Sequence, residues 1–298
     1  MNNYSKARVA IAGASGYAGR ELQRLLARHG GAAVVAAQDS SAGVETLAAA
    51  NAELVFLATP AEVSAAWVPV LQALPAPPRI VDLSAAFRFD ERAVYGWPER
   101  NAGAIRGAAL VANPGCYATA VNLALGPLLR AGAIAPEEII CDAKSGASGA
   151  GRGLRPDLHF CELEGNCKAY SVYAHGHAPE IARHAGLDAA SFTFTPHLLP
   201  TARGILATHY VRCRGGDLEP AYRQAYQSQP FVRLRGAELP ELHDVVHTNF
   251  CDIGWRIRGD RQQAVIVSCL DNLVKGAAGQ ALQNANLMMG WEETEGLV

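Results

Sequence analysis

A short apolar run, Arg8-Val9-Ala10-Ile11-Ala12, ends in Gly13-Ala14-Ser15-Gly16-Tyr17-Ala18-Gly19, and a helical pattern with Leu22, Leu25 and Leu26 on one face follows at once. Few folds accept that order. The apolar run suits a strand, the glycines a tight turn, and the leucine spacing a helix over Arg20 to His29. Strand, glycine turn and helix open a βαβ unit, so the chain is expected to be α/β with a parallel sheet. The spacing G-x-x-G-x-x-G is a variant of the dinucleotide fingerprint. Its glycines let backbone N–H groups approach a pyrophosphate, and the helix N-terminus adds roughly half a positive charge. A plain βα turn that binds nothing is the other reading of the same residues.

The alternation continues. Ala33-Val34-Val35-Ala36-Ala37 is a second strand, and Asp39 follows it about 20 residues past the turn, where an acidic residue bonds a ribose 2′-OH and disfavours a 2′-phosphate. Ser40 and Ser41 are placed instead to donate to a phosphate, so NAD and NADP both stay open on these residues. A third strand, Leu54-Val55-Phe56-Leu57-Ala58, ends at Thr59-Pro60. A helix from Ala61 to Leu74, a proline-rich turn and a fourth strand, Arg79-Ile80-Val81-Asp82-Leu83, come next and run into Ser84. Ligands of parallel sheets sit at the carboxyl ends of strands, so Gly13 to Gly19, Thr59-Pro60 and Ser84 are expected to share one crevice.

Composition narrows the class. Of 298 residues, 50% are hydrophobic and 18% charged, which is enough apolar material for a packed core. The 26 Lys and Arg against 28 Asp and Glu give a net charge of -2, with no basic stripe to neutralise nucleic-acid phosphates. No apolar run approaches the roughly 20 residues that span a bilayer, and the first residues hold no signal-peptide core. Seven cysteines with no CxxC pair argue against a zinc ribbon or a disulfide framework. A cytoplasmic, globular enzyme acting on a small molecule is expected, with no membrane, nucleic acid or metal.

Cys116 stands apart from the other cysteines. Leu110-Val111-Ala112 leads into Asn113-Pro114-Gly115-Cys116-Tyr117-Ala118-Thr119, and a long apolar helix runs from about Ala118 to Arg130. The Pro-Gly turn exposes the thiol at a helix mouth, where the thiolate, the nucleophilic form, is favoured. The remaining six read as small hydrophobes. A base is offered by His175-Gly176-His177-Ala178-Pro179-Glu180-Ile181. His177 is the first choice, because Glu180 three residues on can orient it in a helical first turn, and His175 is the reserve. No third ligand at useful spacing supports a metal. Lys144 to Gly153, a run of small residues holding Ser145, Ser148 and Arg152, suits an anion-binding loop or a flexible linker. Arg88 and Arg203 are isolated arginines; several such groups converging would bind a carboxylate or phosphate.

Together these residues resemble the N-acetyl-gamma-glutamyl-phosphate reductases of arginine biosynthesis, in the semialdehyde dehydrogenase superfamily. Val111 to Ala120 with Pro127 is similar to that family's active-site signature, and Gly13 to Leu22 to its cofactor turn. So are Asp82-Leu83-Ser84 with Phe87-Arg88, Tyr95-Gly96-Trp97-Pro98-Glu99, Ser145 to Arg152, and His175 to Ile181. Thr195-Pro196-His197-Leu198 with Arg203-Gly204-Ile205-Leu206, and the tail from Asp271-Asn272 through Lys275-Gly276 to Asn286, match as well. The resemblance covers nearly the whole chain.

It implies NADPH-dependent reduction of N-acetyl-L-glutamyl 5-phosphate to the 5-semialdehyde, with release of inorganic phosphate. Carried across, Cys116 is the nucleophile, and His177 or His175 the acid/base. Gly13, Ser15, Gly16, Tyr17 and Ala18 hold cofactor phosphates, with Ser40, Ser41, Thr59, Pro60 and Asn272 as further cofactor contacts. Arg88, Ser145, Ser148, Arg152 and Arg203 surround the substrate's anionic groups. A homodimer or homotetramer is implied in the same way. This chain departs from the family pattern in its short stretches before Leu54 and between Arg88 and Tyr95. Gly176 stands where the family usually has arginine between the histidines, and Gln38-Asp39 where it often has serine or arginine. NADP is therefore the expected cofactor by resemblance, with NAD possible. The alternatives are a reductase of carrier-linked aminoadipyl phosphate or aspartyl phosphate, and a catalytically silent nucleotide sensor.

The expected architecture is a Rossmann-type parallel-sheet domain, residues 1–115 and 271–298, plus a second α/β (α+β) substrate and dimerisation domain, residues 116–270. The strands of the second domain are expected to include Ser191 to Thr195, Ile205 to Arg212 and Ala264 to Leu270. A last apolar helix, Leu273 to about Met289, is expected to return to the first domain.

Overall fold

The computed structural model describes residues 6–260 and 262–298, with the side chain of Ser40 outside the described set. The chain forms two compact units, one of residues up to Gly115 together with Ala277–Val298, the other of Cys116–Gly276.

In the first unit β1 (Ala7–Ala12), β2 (Ala32–Gln38), β3 (Leu54–Leu57), β4 (Arg79–Asp82), β5 (Val94–Tyr95) and β6 (Leu110–Ala112) pair in parallel, in the order β2-β1-β3-β4-β6-β5. Between them run α1 (Tyr17–Leu26), α2 (Val44–Ala49), α3 (Ala61–Gln72) and α4 (Pro98–Arg106). Strands covered on both faces read as unbroken apolar runs, and β3, LVFL, is buried at every position. Ala10, Ala12, Val55, Leu57 and Ile80 share a core with Val44, Leu47, Trp67, Val68 and Leu71 of α2 and α3. The alternate residues Val9, Ile11, Phe56 and Val81 are equally buried and point to the opposite face. The first helix begins at Tyr17, three residues before the sequence pattern suggested, so the end of the glycine turn is already its first turn.

The second unit contains β7 (Ile139–Gly146), β8 (Lys168–Ala169), β9 (Phe192–Leu199), β10 (Ile205–Arg212), β11 (Val232–Gly236), β12 (Cys251–Ile257) and β13 (Gln263–Leu270), with α5 (Cys116–Arg130), α6 (Phe160–Leu163), α7 (His177–Ala185) and α8 (Glu219–Tyr226). The strands form one mixed sheet in the order β11-β12-β13-β10-β7-β9-β8. Helix α5 is buried from Tyr117 to Leu128 and packs on β10, β12 and β13, with α7 and α8 beside it. Pro127 inside α5 has no N–H for the carbonyl of Leu123, one turn earlier. The hydroxyl of Tyr226 donates to that carbonyl instead, at 2.7 Å, and Tyr222 donates to the carbonyl of Ala124 at 2.7 Å. Tyr226 thus satisfies the carbonyl that the proline leaves open, and Tyr222 ties α8 to the next one.

A wide π turn, Val274–Ala278, precedes α9 (Gly279–Met289), so the expected last helix is regular only from Gly279. Within the first unit Asn284 Nδ2 donates to the carbonyl of Gly96 and to Asn113 Oδ1, both at 3.0 Å. Gln280 donates to Gly96 as well, at 2.9 Å. These buried amides fix α9 beside the ends of β5 and β6.

Candidate active site

Cys116 is the first residue of α5, with its side chain half-buried. The preceding Pro114-Gly115 brings the chain from β6 to the helix start without a helical turn before the thiol. The first N–H groups of a helix have no partner within it, and their partial positive charge favours the thiolate. A cavity of about 380 Å³ in the second unit is lined by Cys116, Tyr117, Ser145, Gly146, Tyr170, His175, Gly176 and His177, together with Arg155, Asp157 and Lys168.

The two histidines are held differently. His177 is the first residue of α7, and its backbone N–H donates to Nδ1 of His175 at 3.1 Å. A backbone N–H only donates, so neutral His175 carries its proton on Nε2. Burial lowers the pKa of His175, which favours that neutral form. The two imidazoles stand edge to face at 4.8 Å, and the ring of Tyr117 lies 5.5 Å from His175 and 6.0 Å from His177. Tyr170 packs on His175 at 5.6 Å, and its hydroxyl donates to that of Tyr117 at 3.3 Å. Burial, more than any other cause, raises the pKa of both phenols, so both stay neutral donors. Glu180, one turn along α7, is buried.

The small-residue run closes one wall. The backbone N–H of Gly146 donates to Gly204, that of Ala147 to Thr201 and that of Ser148 to Ala202. A Cβ on Gly146 would stand 2.6 Å from the nitrogen of Arg203, so the two loops meet backbone to backbone. Asn272 ties them together, donating from Nδ2 to Ser148 Oγ at 2.9 Å and accepting from Gly204 N–H at 2.8 Å. Ser145 is buried on the cavity wall; Ser148 faces Asn272, and Arg152 is exposed just beyond the loop, outside the lining. Arg203 reaches Asp271, a fully buried carboxylate, at 3.4 Å. Of the expected substrate contacts within the second unit, Ser145 lines this cavity and Ser148, Arg152 and Arg203 do not.

In the first unit the glycine turn is built as the spacing asked. Gly13 has a φ of +76°, and a Cβ there would stand 2.2 Å from the carbonyl oxygen of Ala58; one on Gly19 would stand 2.1 Å from that of Gly13. Gly16 precedes α1, whose first residues are Tyr17 and Ala18. Asp39, at the end of β2, accepts from the backbone N–H of Ser15 at 3.0 Å. One of the amides expected to face a cofactor phosphate is therefore bonded to a carboxylate. Thr59 is buried with its hydroxyl 2.8 Å from that of Ser64, and Pro60 caps α3. Ser41 is exposed; the side chain of Ser40 lies outside the described residues. Arg88 donates to the carbonyls of Asn113 and Leu83, each at 3.1 Å, bracing main chain at the ends of β4 and β6. This glycine turn, with its small residues and helix-start amides, could hold a dinucleotide phosphate.

The cavity also holds Arg155, Asp157 and Lys168, which no spacing singled out. Among the described residues no group of three His, Cys, Asp or Glu is gathered as metal ligands, and no helix is long and apolar enough to cross a membrane.

A family model described as semialdehyde dehydrogenase, dimerisation domain, matches residues 116–272, and one described as semialdehyde dehydrogenase, NAD binding domain, matches residues 42–108. A curated N-acetyl-gamma-glutamyl-phosphate reductase of Geobacillus stearothermophilus is 42% identical, over 97% of this chain and 97% of that one. One of Symbiobacterium thermophilum is also 42% identical, over 98% and 97%. The first alignment runs to 337 positions against 298 residues here, so the relative carries segments that this chain lacks. An aspartate semialdehyde dehydrogenase II of Vibrio cholerae, complexed with ASA, superposes with a TM-score of 0.78 at 19% identity, covering 96% of this chain and 99% of that one. The aspartate semialdehyde dehydrogenase of Candida albicans with NADP gives 0.70 at 13% identity, covering 96% and 99%. At such identities the likeness is one of fold.

Proposed function

The chain belongs to the N-acetyl-gamma-glutamyl-phosphate reductase family of semialdehyde dehydrogenases, and from that premise we propose that it reduces N-acetyl-L-glutamyl 5-phosphate to N-acetyl-L-glutamate 5-semialdehyde, releasing phosphate. The observation that carries the reading is Cys116 at the start of α5, in one cavity with His175 and His177.

The Cys116 thiolate attacks the acyl carbonyl; the C–O bond to the phosphoryl group breaks, phosphate leaves, and a thioester remains on sulfur. A nicotinamide, when bound, would supply the hydride that the thioester carbon accepts. The resulting thiohemiacetal collapses as its C–S bond breaks, returning Cys116 as thiolate and freeing the aldehyde. His177 takes the proton of the Cys116 thiol and later moves protons on the substrate oxygen, a role worth about 10²–10⁴-fold. His175, with Nδ1 accepting from His177 N–H, presents Nε2–H as a fixed donor. Ser145 offers a hydroxyl on the same wall.

The reductant is a nicotinamide dinucleotide held at Gly13, Gly16 and the first residues of α1. NADPH is the form we propose, on the family's pattern; Asp39 beside Ser15 favours NADH as the second form. The partner is a second copy of this chain. Ile140 and Tyr210, paired across β7 and β10, are 45% and 46% exposed on one sheet face of the unit matched by the dimerisation-domain model. A cytoplasmic setting keeps all seven cysteines as thiols.

The test is the reverse reaction. Purified protein is given N-acetylglutamate semialdehyde, phosphate and NADP⁺ or NAD⁺, and reduced nicotinamide is followed by absorbance. A phosphate-dependent rise that Cys116→Ala abolishes, with nucleotide binding intact, is expected. Turnover surviving in that variant, or no rise with either cofactor, would overturn the reading.

A further inference from the structure

Arg155 donates through Nε to Asp157 Oδ1 at 3.1 Å and through a terminal nitrogen to Oδ2 at 2.8 Å. Lys168 donates to the same Oδ2 at 3.1 Å. All three side chains line the cavity that contains Cys116. Lys168 lies on β8, which pairs with β9, and Arg155 directly precedes the short turn Pro156–Leu158, so separate segments bring the two cations to one carboxylate.

Two positive charges meet one negative charge here, which leaves a net single positive charge on a cavity wall. That balance suits a monoanion better than a dianionic phosphoryl group. A guanidinium also offers five N–H donors, of which this fork uses two. Asp157 itself displays the ligand geometry the pair accepts: a carboxylate in a forked grip, held below the usual carboxylate range by Arg155 and then Lys168. Tyr170, packed on His175, lines the same cavity. Of the two anionic groups of the acyl-phosphate substrate, the α-carboxylate persists unchanged into the aldehyde and the phosphoryl group departs at Cys116.

We propose that Arg155 and Lys168, bridged by Asp157, bind the α-carboxylate of the substrate and so set which acyl phosphates the cavity takes. The proposal rests on the reductase reading for the identity of that substrate, and on the cavity alone for its anion site. It accounts for where substrate recognition lies when Arg152 and Arg203 stand outside the lining.

Two measurements test it. Calorimetric titration with N-acetylglutamate, which carries the α-carboxylate, a second carboxylate in place of the acyl phosphate and no phosphate, is compared between the wild type and Arg155→Gln, Lys168→Gln and Arg155→Lys. Loss of one charge-assisted contact is expected to weaken binding about tenfold or more in the glutamine variants, with Arg155→Lys intermediate. In the reverse reaction the same variants are expected to raise KM for the semialdehyde by a similar factor and leave KM for phosphate within about twofold. Unchanged affinity in folded glutamine variants, absence of N-acetylglutamate binding to the wild type, or a rise confined to KM for phosphate would each overturn the proposal. Binding that depends on Arg155 in a wild type that turns over no semialdehyde would keep the anion site and sink the reductase reading instead.

Discussion

A Cβ built on Gly276 would stand 2.8 Å from the Cβ of Cys116. Real side-chain carbons do not approach so closely, so the absence of a side chain at Gly276 sets where Cys116 sits. Gly276 lies in the wide turn Val274–Ala278, and its N–H donates to the carbonyl of Asp271 at 2.8 Å, which leaves the backbone little room to withdraw. Gly276→Ala should therefore displace the thiol. A misplacement of about 1 Å costs on the order of 10²-fold in turnover. Steady-state kcat, together with the rate of alkylation at Cys116, checks this. Unchanged kcat in the folded variant would mean that the turn yields and Cys116 stays in place.

Acid should destabilise the second unit through His209. Its Nε2 lies 3.1 Å from Ser268 Oγ, and Ser268 gives its one proton to the carbonyl of Ala120 at 3.0 Å. Nε2 is therefore the donor and Nδ1 carries no proton. Burial pushes the His209 pKa down to about 3. The folded value lies below the unfolded one, so this stability is complete above about pH 6.5 and declines as pH falls toward 3, by roughly 1.4 kcal/mol per unit. Urea unfolding between pH 7 and 4 should show the decline, and His209→Gln should flatten it.

Two glycines predict opposite outcomes. Gly19→Ala places a carbon 2.1 Å from the Gly13 carbonyl and should abolish nucleotide binding or folding of the first unit. Gly176 is right-handed helical (φ -60°), with nothing within 4 Å of a Cβ. Gly176→Ala should raise stability by about 0.4–1 kcal/mol, since only the unfolded chain loses freedom. Thermal unfolding of the two variants distinguishes these.

Removing the Asp39 carboxylate should shift cofactor choice. A 2′-phosphate near that carboxylate meets like charge, which costs on the order of several kcal/mol when close. Asp39→Asn keeps an oxygen for Ser15 N–H and is expected to improve NADP(H) affinity relative to NAD(H) about tenfold or more, read by fluorescence titration. An unchanged ratio would place the ribose elsewhere.

Much of this is legible in the sequence. The glycine turn and the buried runs of β1, β3 and β4 declare a parallel sheet because strands covered on both faces leave no polar alternation. Cys116 was visible because a turn-forming pair separates a strand from a long apolar helix at that residue. The arginines were harder. Arg88 bracing carbonyls, Arg203 on a buried carboxylate and Arg155 on a cavity wall are one residue type in three settings, and spacing does not distinguish them. Strands β5, β7, β8, β11 and β12 are not evident in the sequence either: β5 and β8 have two residues each, Lys144 to Gly146 end β7 although their small residues read as a loop, and β11 pairs with β12 through a register shift near Gly236.

The first unit draws on both sides of the second: residues up to Gly115 and then Ala277–Val298, with Asn284 and Gln280 of α9 bonded to Gly96. On the ribosome, those early strands emerge long before the helix that completes their core. The segment from Cys116 to Gly276 is continuous in sequence. During synthesis that unit can therefore begin to fold before the chain is complete, while the first unit waits for its last segment to arrive.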